Sequence, residues 1–242
     1  MKAQHPMNDF FATTRWTIVL AAGDSGTPQS ADALEALCQS YWFPLYAYVR
    51  RRGHTKEDAE DLTQAFFADL LDRRDFTKTD SGRGRFRAFL LASLKHFLAN
   101  ERDKKQRLKR GGKITHFPLD WRSADTQFQI ADAAMRSPDE AFDREWAVAL
   151  LERVIVRLRD EWAADGKSER FEQMKGFLTV GKGEISYASA AAELLMEEGA
   201  LRVAVHRLRK RYRELLRNEV AHTLADPAMV AEELAVLLGA FR

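Results

Sequence analysis

One cysteine and six prolines are all that 242 residues hold of these two types. A single thiol, Cys38, excludes an internal disulfide and a thiolate metal cluster, and it fits a reducing compartment. It lies in a Tyr/Trp-rich helical stretch with no evident base nearby, which suits a small buried residue better than a nucleophile. Long apolar runs are missing too. The longest, Trp16 to Ala22, falls far short of the roughly 20 residues that cross a bilayer, so no membrane insertion is expected. The opening MKAQHPMNDFF carries Asp9 and lacks the apolar core and cleavage site of a secretory signal, which makes the cytoplasm the expected location. The histidines are scattered and never pair with carboxylates at metal-ligand spacing. No glycine-rich phosphate loop follows a strand. No catalytic residue, metal or cofactor is therefore expected, and the pattern speaks against an enzyme. A large charge of one sign is also lacking, since the formal net charge is +2. What matters is that acids and bases segregate along the chain.

What is present is helical periodicity, with hardly any β-type alternation. A short helix is expected over Thr14–Ala22, then one from about Ala31 to Arg51, kinked at Pro44 and stopped by Gly53. Thr55 is placed to cap the next helix, with Asp58 three residues later, and that helix runs to about Asp72. A polar loop from Arg74 to Gly84 leads into a third helix, Arg85 to about Lys109. Residues 111–136 show no sustained period and read as a linker. Ser137-Pro138-Asp139-Glu140 combines an N-cap serine, proline at the first helical position and acids at the positive end of the dipole. A further helix holds Phe171, Met174 and Leu178. Asp226-Pro227 starts a last amphipathic helix, expected to cover the apolar back of the second domain. The fold class is all-α, with two small helical domains joined by a linker. The expected divisions are an N-terminal extension 1–30, a first domain 31–110, the linker 111–136, a second domain 137–224 and a C-terminal helical extension 225–242.

Three segments carry the functional signal. In Ser186–Arg217 a short Ala-rich helix and a tight connection through Met196–Gly199 precede a basic helix. Leu201, Val205, Leu208, Tyr212 and Leu215 form its apolar stripe, and Arg202, His206, Arg207, Arg209, Lys210 and Arg213 project from the rest. This suits a helix-turn-helix with its second helix in a DNA major groove; a solvated basic helix on an ordinary bundle has the same pattern. The stretch Arg83 to Lys113 interleaves many cations with Phe86, Phe89 and Phe97. Cations serve phosphates, and aromatics offer stacking platforms for unpaired bases. By helical phase Phe97 belongs to the core, whereas Phe86 and Phe89 near the loop are expected to be exposed. The helix before it is acidic, with Asp58, Asp61 and Asp72, and Gln64 beside them, away from its leucines and phenylalanines. Such a face repels DNA and suits a basic protein partner.

Together, TKEDAEDLTQAFFADLL with GRFRAFLLASLKHFLANERDKKQR resembles region two of bacterial RNA polymerase sigma factors, and SYASAAAELL…RVAVHRLRKRYRELLR resembles their region-four helix-turn-helix. The order, the linker and the lack of other sigma domains resemble the extracytoplasmic-function (ECF) group. The resemblance implies a sigma factor that binds core RNA polymerase and directs promoter recognition and transcription initiation. It puts Asp58, Asp61 and Gln64 against the clamp of the largest polymerase subunit. It assigns Arg85, Phe86, Arg87, Phe89, Lys95, Asn100 and Arg102 to reading and melting the minus-ten element, where a flipped base is captured. It has the second domain dock on the polymerase flap and read the minus-thirty-five element. Arg202, Val203, His206 and Arg207 would face base edges, and Arg209, Lys210 and Arg211 would contact phosphates. Beyond polymerase and promoter DNA, it admits an anti-sigma protein or a regulatory kinase as partner.

The opening TTRWTIVLAAG and the tail EVAHTLADPAMVAEEL resemble one sigma-factor subgroup, whose turn usually reads Leu-Gly-Met-Thr-Glu-Gly, whereas this chain has Leu194-Leu195-Met196-Glu197-Glu198-Gly199. Leu195 thus replaces the glycine that most readily adopts positive φ, a change of about 1 kcal/mol if that conformation is kept. Two other classes stay open from the residues alone. A helix-turn-helix regulator that never joins polymerase accounts for the basic helices but leaves the acidic helix unused. A pure adaptor would use the C-terminal helix as its partner surface.

Overall fold

The computed structural model describes residues 15, 28–73, 85–107, 128, 137–179 and 185–241. The expected helix 14–22, the loop 74–84 and the linker 111–136 lie outside them, apart from Arg15 and Phe128. Among the described residues the regular elements are helical, joined by one isolated antiparallel bridge between Arg85 and Leu224. The chain is all-α.

The chain forms two compact units. One takes in the residues up to Ala149 and those from Val220 onward, and the other is Leu150–Glu219. In the first unit, helices α1 (Pro28–Gln39) and α2 (Trp42–Arg51) stand where one kinked helix was expected. The break comes at Ser40–Tyr41, before Pro44 rather than at it. Proline has no N–H to give the carbonyl four residues back, and its ring crowds that carbonyl. At the third position of a new helix the missing donor is one that has no intrahelical partner anyway. Helix α3 (Lys56–Arg73) starts as expected, with the Asp58 N–H donating to Thr55 Oγ1 at 3.1 Å. Helix α4 (Phe86–Arg107) follows, and α5 (Pro138–Ala164) starts on Ser137, whose Oγ accepts from the Glu140 N–H at 3.2 Å.

The core of the first unit is aromatic. Tyr41, Tyr46, Tyr48, Phe66, Phe67, Phe86, Phe142 and Trp146 are all almost fully buried. Trp146 Nε1 donates to Tyr41 Oη at 2.8 Å, so the polar ends of two buried rings satisfy each other. Ala141, Phe142 and Trp146 occupy the first turns of α5, while Val154 and Leu158 further along belong to the second core. The packing units therefore divide within α5, not at the linker expected to separate the domains. The C-terminal helix, α10 (Val230–Gly239), belongs to the first unit, whereas it was expected to cover the back of the second domain. It follows a one-turn 3-10 segment, Pro227–Met229, capped by Asp226.

In the second unit α6 (Ser168–Met174), α7 (Gly176–Thr179), α8 (Tyr187–Glu193) and α9 (Glu198–Ala221) surround a core of Val154, Leu158, Phe171, Met174, Phe177, Ala191, Leu201, Val205, Leu208 and Leu215. The apolar stripe of α9 is buried as its spacing requires. Ser186 caps α8, accepting from the Ser189 N–H. At the other end of α8, Met196 N donates to the Ala191 carbonyl at 2.9 Å and Leu195 N to the Ala192 carbonyl at 3.2 Å. This paired arrangement is a Schellman C-cap, which needs a left-handed residue at the position of Leu195. Leu195 has φ 51° and is 94% exposed, so it holds that conformation without burying its side chain. Replacing Leu195 by glycine removes the Cβ strain and loses no packing; it should raise stability in urea denaturation by about 1 kcal/mol. Leu195→Ala, which keeps the Cβ, should give no comparable gain.

Candidate nucleic-acid and protein interfaces

Helix α3 buries Ala59, Leu62, Thr63, Phe66, Phe67 and Leu70 on one arc. Asp61 lies opposite that arc and Asp58 beside its Leu62 margin, and both are exposed. Gln64 is buried instead, a departure from the expected polar face. It falls next to the Phe67 margin of the buried arc. Asp72 is within α3, but its side chain lies outside the described residues. Cys38, matching its reading as packing, is fully buried; desolvation and then the charge of Glu35 push its thiol up, away from nucleophilic use.

The start of α4 differs most from expectation. Phe86 and Phe89, expected to face solvent, are buried. Phe86 meets Tyr41 edge-on with centroids 5.1 Å apart, and its N–H donates to the Thr223 carbonyl at 2.9 Å. The reason is the helical period: Phe86, Leu90, Leu94 and Phe97 follow at steps of three and four and face the core together. These rings cannot serve as base-stacking platforms.

The neighbouring cations are met by acids from far along the chain. Arg85 pairs with Glu232 at 2.5 Å and approaches Glu233 at 3.3 Å. Arg87 Nε donates to Glu233 at 3.1 Å, and its Nη1 donates to Asp143 of α5. The Arg87 guanidinium also lies over the Trp146 ring, 4.8 Å from its centroid. Only 12% of the Arg87 side chain and 1% of the Glu233 side chain are exposed. Burial by itself would make Arg87 release its proton more readily; the charges of Glu233 and Asp143 and their hydrogen bonds reverse this, and its pKa is raised. Farther along α4, exposed Lys95 pairs with Asp139 at 2.7 Å, while Asn100 and Arg102 are exposed.

On α9, Arg202, Val203, His206, Arg207 and Lys210 are exposed, Val203 to 50%. Arg202 pairs with Glu198 one turn back at 2.5 Å, and its guanidinium lies over the Tyr187 ring, 4.5 Å from the centroid. Two residues expected to contact phosphates are engaged within the unit. Arg209 Nε donates to the Phe177 carbonyl at 2.9 Å, joining α9 to α7. Arg211 holds Glu161 with two hydrogen bonds, at 2.7 and 2.8 Å, and also meets Glu214. The Arg211 hydrogen bonds keep the Glu161 carboxyl below the usual range. The sequence reading missed Glu161, Asp139, Asp143, Glu232 and Glu233 as partners. The one sequence signal was the pair Glu232-Glu233 in an otherwise apolar helix, which also fits a simple helix-dipole role.

Among the described residues no helix is long and apolar enough to cross a membrane, and no group of three or more His, Cys, Asp or Glu is placed to hold a metal ion. Residues 38–108 match the family model Sigma-70 region 2. No curated protein and no solved structure matches the chain. The chain thus contains a sigma-70 region 2-like domain, which supports a general DNA-binding role in transcription.

The buried charge pairing makes a direct prediction. Arg87→Met leaves Glu233 with only the more distant Arg85, and should lower stability by about 3 kcal/mol in urea denaturation. Arg87→Met with Glu233→Leu should recover part of that loss. A loss from Arg87→Met alone of under about 1 kcal/mol would show that Arg87 does not hold Glu233.

Proposed function

We propose that this protein is a sigma factor of the ECF group, acting in the cytoplasm, which binds core RNA polymerase, directs it to a limited set of promoters and assists strand opening. The observation that carries this reading is the Sigma-70 region 2 match across 38–108, the same segment in which Asp58 and Asp61 present an exposed acidic face. That face is the contact for the polymerase clamp. Asn100, Arg102 and Lys95 lie exposed along α4, the helix that would hold the melted minus-ten strand. In the second unit, supported by α8 and its turn, exposed Arg202, Val203, His206 and Arg207 sit in the first turns of α9, where a recognition helix meets base edges. Lys210 serves as a phosphate contact. Arg209 and Arg211 instead hold the unit together. This domain is proposed to dock on the polymerase flap, and an anti-sigma protein or a kinase is the class of partner that would control it.

The test is pull-down of core polymerase by the purified chain, followed by run-off transcription across a promoter library. Binding to core with start sites that depend on the added protein is the expected result. DNA binding without core binding would point to a regulator acting alone and would overturn the sigma reading. Asp58→Lys with Asp61→Lys should abolish core binding while leaving the fold intact.

A further inference from the structure

The same cations that the sigma reading would send to the melted strand are already paired with acids of the chain's own C-terminal segment. Arg85 and Arg87 flank Phe86, the first residue of α4. Glu233 lies between them, buried, and Glu232 pairs with Arg85 at the surface with 64% of its side chain exposed. The backbone adds a second attachment just upstream, where the Phe86 N–H donates to the Thr223 carbonyl and Arg85 bridges to Leu224. Both carboxylates offer these guanidiniums what a phosphodiester offers, anionic oxygens in reach of a planar fork of donors. A guanidinium held against carboxylates, as Arg87 is by Glu233 and Asp143 and Arg85 is by Glu232, must give up that pairing before it can take a phosphate in the same place.

We infer that the C-terminal helix Val230–Gly239 and single-stranded nucleic acid compete for Arg85 and Arg87, so that the free chain holds its strand-binding surface closed and must release Glu232 and Glu233 before that surface can engage DNA. This rests on the sigma reading for what the surface binds and goes beyond it in saying what covers it. The outer half of the contact is its weak half. Glu232 is solvated, so its attraction to Arg85 is weak and is screened by salt. On the short helix α10, Leu237 and Glu233 are buried and anchor it, while Leu238 is 61% exposed. Asp143 comes from a different helix and would keep one partner on Arg87 after α10 leaves.

The experiment measures binding of the full chain to a fluorescein-labelled, mixed-sequence single-stranded DNA by anisotropy. Glu232→Gln removes one acid from the clasp. Ala231→Lys, at an exposed neighbouring position, changes the net charge by the same amount without touching it. Glu232→Gln should tighten binding by about two- to fivefold more than Ala231→Lys, the scale of a partly exposed ion pair. Glu233→Gln, which keeps the shape of the buried acid, should act in the same direction if its thermal unfolding stays cooperative; if it does not fold, Glu232→Gln alone decides. Equal affinities for Glu232→Gln and Ala231→Lys, with core-polymerase binding by the wild type intact, overturn the clasp and leave the sigma reading standing. Loss of core-polymerase binding by the wild type itself overturns the reading beneath it, and the clasp with it.

Discussion

A carboxyl group as deeply buried as that of Glu233 has to be paired, because an isolated charge away from water is one of the largest penalties a fold can carry. The first unit is arranged around that requirement. Arg87 meets Glu233 with its Nε, reaches Asp143 with Nη1 and lays its plane over Trp146, so a single guanidinium joins α4, α5 and α10. Trp146 in turn donates to Tyr41, which meets Phe86 edge-on. Charge pairing and aromatic packing thus converge on the first turn of one helix. Residues from positions far apart in the chain are brought into one unit by this cluster.

The cations of the protein fall into two groups on this account. Arg85, Arg87, Arg209 and Arg211 are turned to acids or carbonyls of the chain, where they join helices. His206, Arg207 and Lys210 project from α9 into solvent, on the side away from Leu201, Val205 and Leu208. A net charge near zero is therefore compatible with a DNA-facing surface, since many of the acids neutralise inward cations and leave the outward ones to act. The turn before α9 holds Leu195 in the left-handed conformation, φ 51°. The Schellman hydrogen bonds and the buried stripe of α9 hold it there.

The helices were legible where spacing and caps agreed. Thr55, Ser137 and Asp226 each mark a helix start that the structure has, and the stripe Leu201–Val205–Leu208–Leu215 is buried as read. Pro44 misled because proline was taken to bend a helix in whose first turn it in fact stands. Phe86 and Phe89 misled because nearness to a loop was given more weight than the three-and-four spacing they share with Leu90, Leu94 and Phe97. Gln64 misled because its polarity said surface while its position touches the buried arc. The pairing of Arg85 and Arg87 with Glu232, Glu233 and Asp143 left only the Glu232-Glu233 pair in an apolar helix as a sequence signal. Local pattern reports which residues share a helix face, and these partners lie on other helices, joined through tertiary packing alone.

In the sigma reading, the acidic face of α3 carries the protein to polymerase, and α9 and α4 carry it to promoter DNA. The clasp on α4 makes the last of these conditional on the position of α10. Backbone hydrogen exchange of residues 230–239 measures this directly, in the free chain and in a complex with core polymerase and single-stranded promoter DNA. The account predicts slow exchange in the free chain and markedly faster exchange in the complex, as α10 gives up Arg85 and Arg87. Equal or slower exchange in the complex would mean that the helix stays in place while DNA is bound, and would contradict it.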